Sequence, residues 1–127
     1  MSTTDGYFHS FNGENTADNV VISDKDPDGN DVVGIYEYAM QNNTSLTSIT
    51  LPNTASVIGN NAFENCTALA NISSMDNVES IGNCAFRCCR GLTSVIISDS
   101  VTSIGTEAFY ECSDIATVTI KSNGGNP

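Results

Sequence analysis

Aliphatic residues return in phase along this chain at a fixed interval. Ile58, Ile81 and Ile104 stand 23 residues apart, each followed by glycine, and the columns after them also match. Ala62, Ala85 and Ala108 align, then Phe63, Phe86 and Phe109, then Cys66, Cys89 and Cys112. Leu69, Leu92 and Ile115 follow, then Ile72, Val95 and Val118. Apolar side chains repeating at such a period predict a solenoid, in which each unit buries its apolar face against its neighbours. The expected fold class is a β-rich α/β repeat solenoid of about four to five layers.

Within a unit, Leu46, Ile49 and Leu51 alternate with Ser and Thr, which reads as a short strand that Pro52 ends. Residues 60–66 read as one helical turn, with Ala62, Phe63 and Cys66 on its inner face. Val78–Ile81 and Val101–Ile104 read as a second, shorter strand on the opposite wall. The pattern extends backward in degenerate form: Ile35, Ala39, Met40 and Leu46 keep the phase, while Tyr36 replaces glycine and Asn43 replaces cysteine. Val20-Val21-Ile22 matches Ile49-Thr50-Leu51 at a separation of 29. Tyr7–Phe11, turning at Asn12-Gly13, is expected to form an antiparallel hairpin with Val20–Ile22. Residues 1–31 thus read as an N-terminal capping hairpin or edge unit with an acidic loop. Residues 32–120 read as the solenoid and 121–127 as a flexible tail, leaving an open edge after the strand at 117–120.

Charge narrows the partners. Fifteen Asp and Glu against four Lys and Arg give a net charge of −11. Phosphate recognition needs clustered cations, so nucleic acid is excluded, and an anionic membrane surface with it. No run approaches a membrane span, and Met1–Asp5 carries neither a basic nor an apolar leader signature, so no signal peptide is expected here. Abundant Ser, Thr and Asn with few Lys point to a secreted or cell-surface setting, with a cytoplasmic one as the alternative.

The stretch Leu92-Thr-Ser-Val-Ile-Ile-Ser-Asp-Ser-Val-Thr-Ser-Ile-Gly-Thr-Glu-Ala-Phe-Tyr-Glu-Cys112 resembles the BspA-like leucine-rich repeat family. Residues 32–120 follow that pattern closely and 7–31 loosely, with Ser74 in place of the strand-end aliphatic and Met75 and Ser98 in place of proline. The resemblance implies a leucine-rich-repeat-like right-handed coil with a parallel sheet and one short helical turn per repeat. It also implies a non-enzymatic protein-binding module for cell-surface adhesion or host-protein recognition, with extracellular-matrix or plasma glycoproteins as partners.

Candidate chemistry is sparse. Cys66, Cys89 and Cys112 share one column and are expected as buried structural thiols, since ladder side chains point the same way rather than at each other. Cys84 and Cys88 fall off the core columns beside Arg87 and Arg90, a setting for either ordinary thiols or a reactive Cys88. Two thiols cannot complete a zinc site, and the single histidine, His9, lies in another region of the sequence. Asp24, Asp26 and Asp28 before Gly29 copy the first half of a calcium loop, but Ile35 stands where the closing glutamate belongs. No catalytic residue, metal or cofactor is therefore assigned. The candidate ligand-binding residues are the outward strand positions, Ser48, Asn71, Ser94 and Thr117 in one column and Thr50, Ser73, Ile96 and Thr119 in the next. They make a small, uncharged surface of the kind solenoids present to partners. The alternative role is a structural spacer that self-associates through the uncapped C-terminal edge.

Overall fold

Short alternating segments bounded by Gly, Asn and Ser form short strands, and none of them can bury its apolar side alone. The computed structural model of the chain describes residues 2–3, 6–10 and 18–121. Its strands are β1 (Ser2–Thr3), β2 (Tyr7–Ser10), β3 (Asn19–Val21), β4 (Gly34–Ile35), β5 (Ser48–Thr50) and β6 (Val57–Ile58). They continue with β7 (Asn71–Ser73), β8 (Ser80–Ile81), β9 (Ser94–Ser98), β10 (Ser103–Ile104) and β11 (Thr117–Lys121). One wall is a six-stranded sheet in the order β1-β2-β4-β6-β8-β10, parallel except for β1. The facing wall consists of β3-β5-β7 and, separately, β9-β11, all parallel. The short second strands of each repeat thus carry the longer continuous ladder.

Between the walls the repeat columns stack in register. Ile35, Ile58 and Ile81 are buried, as are Met40, Phe63 and Phe86, and Leu46, Leu69 and Leu92. The Phe63 and Phe86 rings lie 5.2 Å apart and the Phe86 and Phe109 rings 5.3 Å apart, with nearly parallel planes in both pairs. The phenyl column is therefore a single stack running along the solenoid axis.

The expected helical turn is not there. Residues 59–66 form successive β-turns, in which Ala62 N–H donates to Gly59 O, Glu64 N–H to Asn61 O and Cys66 N–H to Phe63 O. The intervening amides leave the coil: Asn61, Phe63 and Asn65 donate to Asn83, Ala85 and Arg87 O of the next coil, at 2.8–2.9 Å. An α-helix would need those amides for its own carbonyls four residues back. Diverting them to the neighbouring coil requires a left-handed residue at every fourth position, and these are Tyr38, Asn42, Asn61, Asn65, Cys84, Cys88, Glu107 and Glu111, with φ between 56° and 65°. Asparagine adopts this conformation readily; cysteine and glutamate do so at a cost. Replacing Cys84 by Asn, as at position 61, is expected to stabilise the chain by about 0.5–1 kcal/mol. An unchanged denaturation midpoint for Cys84→Asn would show that the strain is relieved elsewhere.

The repeated Ile-Gly has a steric cause. A Cβ on Gly82 would lie 2.6 Å from the Asn60 amide nitrogen and 2.7 Å from the Gly59 carbonyl carbon, because the coils approach backbone to backbone there. The Asn60 side chain crosses the same spot, its Oδ1 accepting the Asn83 N–H at 2.8 Å, and Asn83 Oδ1 accepts the Thr106 N–H likewise. Gly82→Ala must push two coils apart, at about 1–3 kcal/mol by the usual cost of overpacking. Urea unfolding measures it, and a neutral result would mean that the approach is looser than drawn.

At the N-terminal end the expected hairpin does not form. β2 pairs in parallel with β4 on one wall, and β3 pairs in parallel with β5 on the other. Tyr7–Ser10 and Asn19–Val21 are thus opposite sides of one coil, the same relation as β4 and β5 in the next. The separation of 29 was the better guide, since Val20 faces Ile49 and Val21 faces Thr50. Phe11, Asn12-Gly13 and residues 122–127 lie outside the described residues.

Candidate binding face

The outward strand columns come together as the register dictates. Ser48 pairs with Asn71 and Thr50 with Ser73, while Ser94 pairs with Thr117 and Ile96 with Thr119. Six of these eight side chains are exposed and Ser48 and Thr50 are partly so. The face extends one strand further than the repeat pattern indicated, because Asn19 and Val21 continue the two columns and Val21 is 73% exposed. The signal for them was the match of Val20 to Ile49, which places Val21 beside Thr50. Ser48 Oγ donates to Asn19 Oδ1, tying the added strand to the column.

The face is not one sheet. Among the described residues no backbone hydrogen bond joins 70–74 to 93–97, so the ladder stops at β7 and restarts at β9. The cause is local. Ser74 stands where Leu51 and Ile97 fill the core, and a hydroxyl has little to gain there. Its backbone turns left-handed, φ 69°, and Met75 joins the buried core cluster. The interruption opens a cleft of about 420 Å³ beside Ser73, Ile96 and Thr119, and a smaller one of about 130 Å³ beside Asn71 and Ser94.

The opposite wall carries a groove of about 600 Å³ that sequence reasoning missed. Gly59, Gly82 and Gly105 lie along it, and Tyr7 and Tyr36, in edge-to-face contact at 6.2 Å, stand at its N-terminal end. Its signal was the glycine column, which removes side chains from a strip crossing three coils.

On the turn arc, positions 41, 64, 87 and 110 form a polar ladder. Gln41 Nε2 donates to Glu64 Oε1 at 2.7 Å, Asn61 Nδ2 donates to the same oxygen, and Arg87 Nη1 donates to Glu64 Oε2 at 3.1 Å. The Arg87 guanidinium sits 5.6 Å from the Tyr110 ring centre. Burial pushes the Glu64 carboxyl up, but the three donors and the Arg87 charge outweigh it and hold the group below its ordinary value. Arg90 pairs with Glu111 at 3.4 Å.

These pairings decide the reading of Cys88. Its Sγ donates to Glu111 Oε2 at 3.2 Å; burial first, then that carboxylate, push the thiol up against the weaker pull of Arg87 and Arg90. Arginine activation of Cys88 is thus not supported. The thiols of Cys66, Cys89 and Cys112 are buried and donate to Met40, Phe63 and Phe86 O of the preceding coil at 3.1, 3.1 and 2.9 Å. The calcium-like loop is held by its own hydrogen bonds. Asp26 Oδ1 accepts the Asp28 and Asn30 amides, Asp24 Oδ1 accepts the Asn53 amide, and Lys25 closes on Asp31 at 2.5 Å. Among the described residues no three His, Cys, Asp or Glu side chains group as metal ligands, and no helix is long and apolar enough to cross a membrane.

A coil of 23-residue layers with parallel sheets on two walls and an exposed, uncharged strand face defines a repeat solenoid of the leucine-rich type. The model of the BspA type leucine rich repeat region matches residues 33–125 in six copies, and the chain belongs to that family. Among solved structures it is similar to the Treponema (T. pallidum) leucine rich repeat protein, with 29% identity and a TM-score of 0.67 over 79% of this chain and 57% of that one. A leucine-rich repeat protein from Bacteroides ovatus is 28% identical, with a TM-score of 0.69 over 94% of this chain and 38% of that one. A leucine rich cell surface protein from Faecalibacterium prausnitzii shares the fold, at 23% identity and a TM-score of 0.59, over 90% of this chain and 50% of that one. The chain thus spans only part of the length of these relatives. No curated protein matches it.

Proposed function

We propose that the chain is a non-enzymatic protein-binding module that works in surface adhesion or host-protein recognition, in a cell-surface or secreted setting. The observation that carries this reading is the outward pair of columns on β3, β5, β7, β9 and β11: largely exposed, hydroxyl-rich, uncharged and in register within each of the two sheets. Such a face has no charge to desolvate and leaves partners to be chosen by shape and hydrogen bonding. Family membership supports the same reading. With few aromatic anchors, each repeat contributes modestly, and affinity is expected to grow with the number of engaged strands. Immobilised extracellular-matrix and plasma glycoproteins should capture the chain at micromolar concentration. Ser94→Glu with Thr117→Glu, which sets two carboxylates side by side on the face, should weaken capture at least tenfold without shifting the melting curve. Absence of capture by the whole panel would sink the reading.

A second reading, assembly through the C-terminal edge, is favoured by one feature. Ile104, Val118 and Ile120 are 50%, 58% and 69% exposed and line an apolar cleft of about 230 Å³ with Phe109 and Ile115. Light-scattering mass that rises with concentration favours assembly; a constant monomer mass removes it.

A further inference from the structure

We propose that the seam between β7 and β9 is a peptide-recognition pocket, seating one apolar side chain and the adjoining peptide groups of an extended protein segment. This deepens the binding-face reading and rests on it. The flanking coils show what the seam lacks. Leu51 N–H donates to Ser73 O at 3.0 Å and Ala116 N–H donates to Thr93 O at 2.9 Å, whereas 70–74 and 93–97 exchange no backbone hydrogen bond among the described residues. The two lips therefore present amides and carbonyls without a main-chain partner, at the edge of a cleft floored by Ile72, Met75 and Ile96. An occupant has to supply donors and acceptors together with apolar surface. A peptide unit carries one N–H and one C=O per residue, and its side chain supplies the rest.

Size and charge narrow the occupant. The coils remain in contact at both ends of the seam: a Cβ on Gly91 would lie 3.0 Å from Leu69 O, and Ser98 Oγ reaches Met75 O at 3.5 Å and Asp76 O at 3.3 Å. A whole strand cannot enter between coils pinned in this way, but about 420 Å³ accommodates one side chain with its peptide groups. Asp76 lines the cleft and disfavours an anionic occupant beside it, while Lys25, Arg87 and Arg90 are engaged with carboxylates elsewhere and Lys121 pairs through its backbone with Ser98 of the lining.

The probe is N-acetyl-leucine N′-methylamide, titrated into the isotope-labelled full chain by NMR, with isoamyl alcohol as the side-chain-only control. Saturable shifts at the Ile72, Ser73 and Ile96 amides are expected, with the alcohol at least tenfold weaker. Ser74→Leu with Met75→Pro copies Leu51-Pro52, should rejoin the ladder and should weaken probe binding at least tenfold. Thr119→Trp, at an exposed position on the rim, should block the cleft in a chain whose core is untouched, and it decides the matter if the double variant does not fold. Non-saturable shifts, equal response to both probes, or unaltered binding in Thr119→Trp would overturn the proposal. Those results would leave glycoprotein capture by the wider face intact, whereas failed capture with a working probe site would sink that reading and leave the pocket standing.

Discussion

Phe86→Ala should lower stability by about 3–5 kcal/mol, the cost of emptying a fully buried aromatic site. Phe86 is the middle ring of the stack, 5.2 Å from Phe63 and 5.3 Å from Phe109, with no exposed surface. Truncation removes contacts on both sides, and neighbouring coils held by the six-stranded wall and by the amide bonds of the turn arc cannot collapse into the gap. Phe109→Ala should cost less, since that ring stacks on one side and is only partly buried. Because each layer touches only its neighbours, loss of the middle one should also loosen the coupling between the two halves. Urea unfolding of Phe86→Ala should therefore show a lower midpoint and a shallower transition. Thr50→Ala, on the outer face, should stay within about 0.5 kcal/mol of the parent. If Phe86→Ala unfolds where the parent does, the stacked column is not what holds the coils together.

The difference between these two sites was legible from the chain alone. Ile58, Phe63, Cys66 and Leu69 recur at 23-residue spacing, and they and Ile81, Phe86, Cys89 and Leu92 one coil on are buried, while Ile104, Phe109 and Ile115 in the last coil are less so. The periodicity reports burial because equivalent positions in stacked coils share one environment. Backbone paths were harder to read. Asn60–Cys66 offers helical spacing of apolar residues, yet its amides bond outward to the next coil, a choice made by the neighbour rather than by the segment. Asn61 and Asn65 carried a hint of left-handed turns, which Cys84, Cys88, Glu107 and Glu111 at equivalent positions obscured. The Ser74-Met75 departure was visible, but its effect depends on which side chain wins the vacant core position. Met75 wins, and the face splits beside five of the eight candidate binding residues. Val21 was legible in the match of Val20-Val21-Ile22 to Ile49-Thr50-Leu51, although the surplus residues of the acidic loop shift its coil out of the 23-residue phase.

The thiol column should make the fold sensitive to alkali. Burial pushes the Cys66 thiol up to about 12, raises Cys89 further still and raises Cys112 as well. In the unfolded chain a thiol ionises near pH 8.5. Below that pH both states hold the proton, and the contribution of the column to stability is complete. Above it the unfolded chain releases protons that the folded chain keeps, so stability falls as pH rises and continues to fall until the folded thiols ionise, at about 12 for Cys66. Each such thiol costs about 1.4 kcal/mol per pH unit over that window, so Cys66 and Cys89 together should remove on the order of 5 kcal/mol by pH 10.5. Chemical unfolding under reductant between pH 7 and 10.5 measures the slope. Cys66→Val with Cys89→Val isolates the contribution of the thiols from that of other groups, because valine fills much of the same space and has no proton to lose. The double variant should show a markedly flatter profile than the parent. Equal slopes would mean that the sulfurs reach solvent in the folded state, and that the donation from each Sγ–H to the preceding coil does not hold.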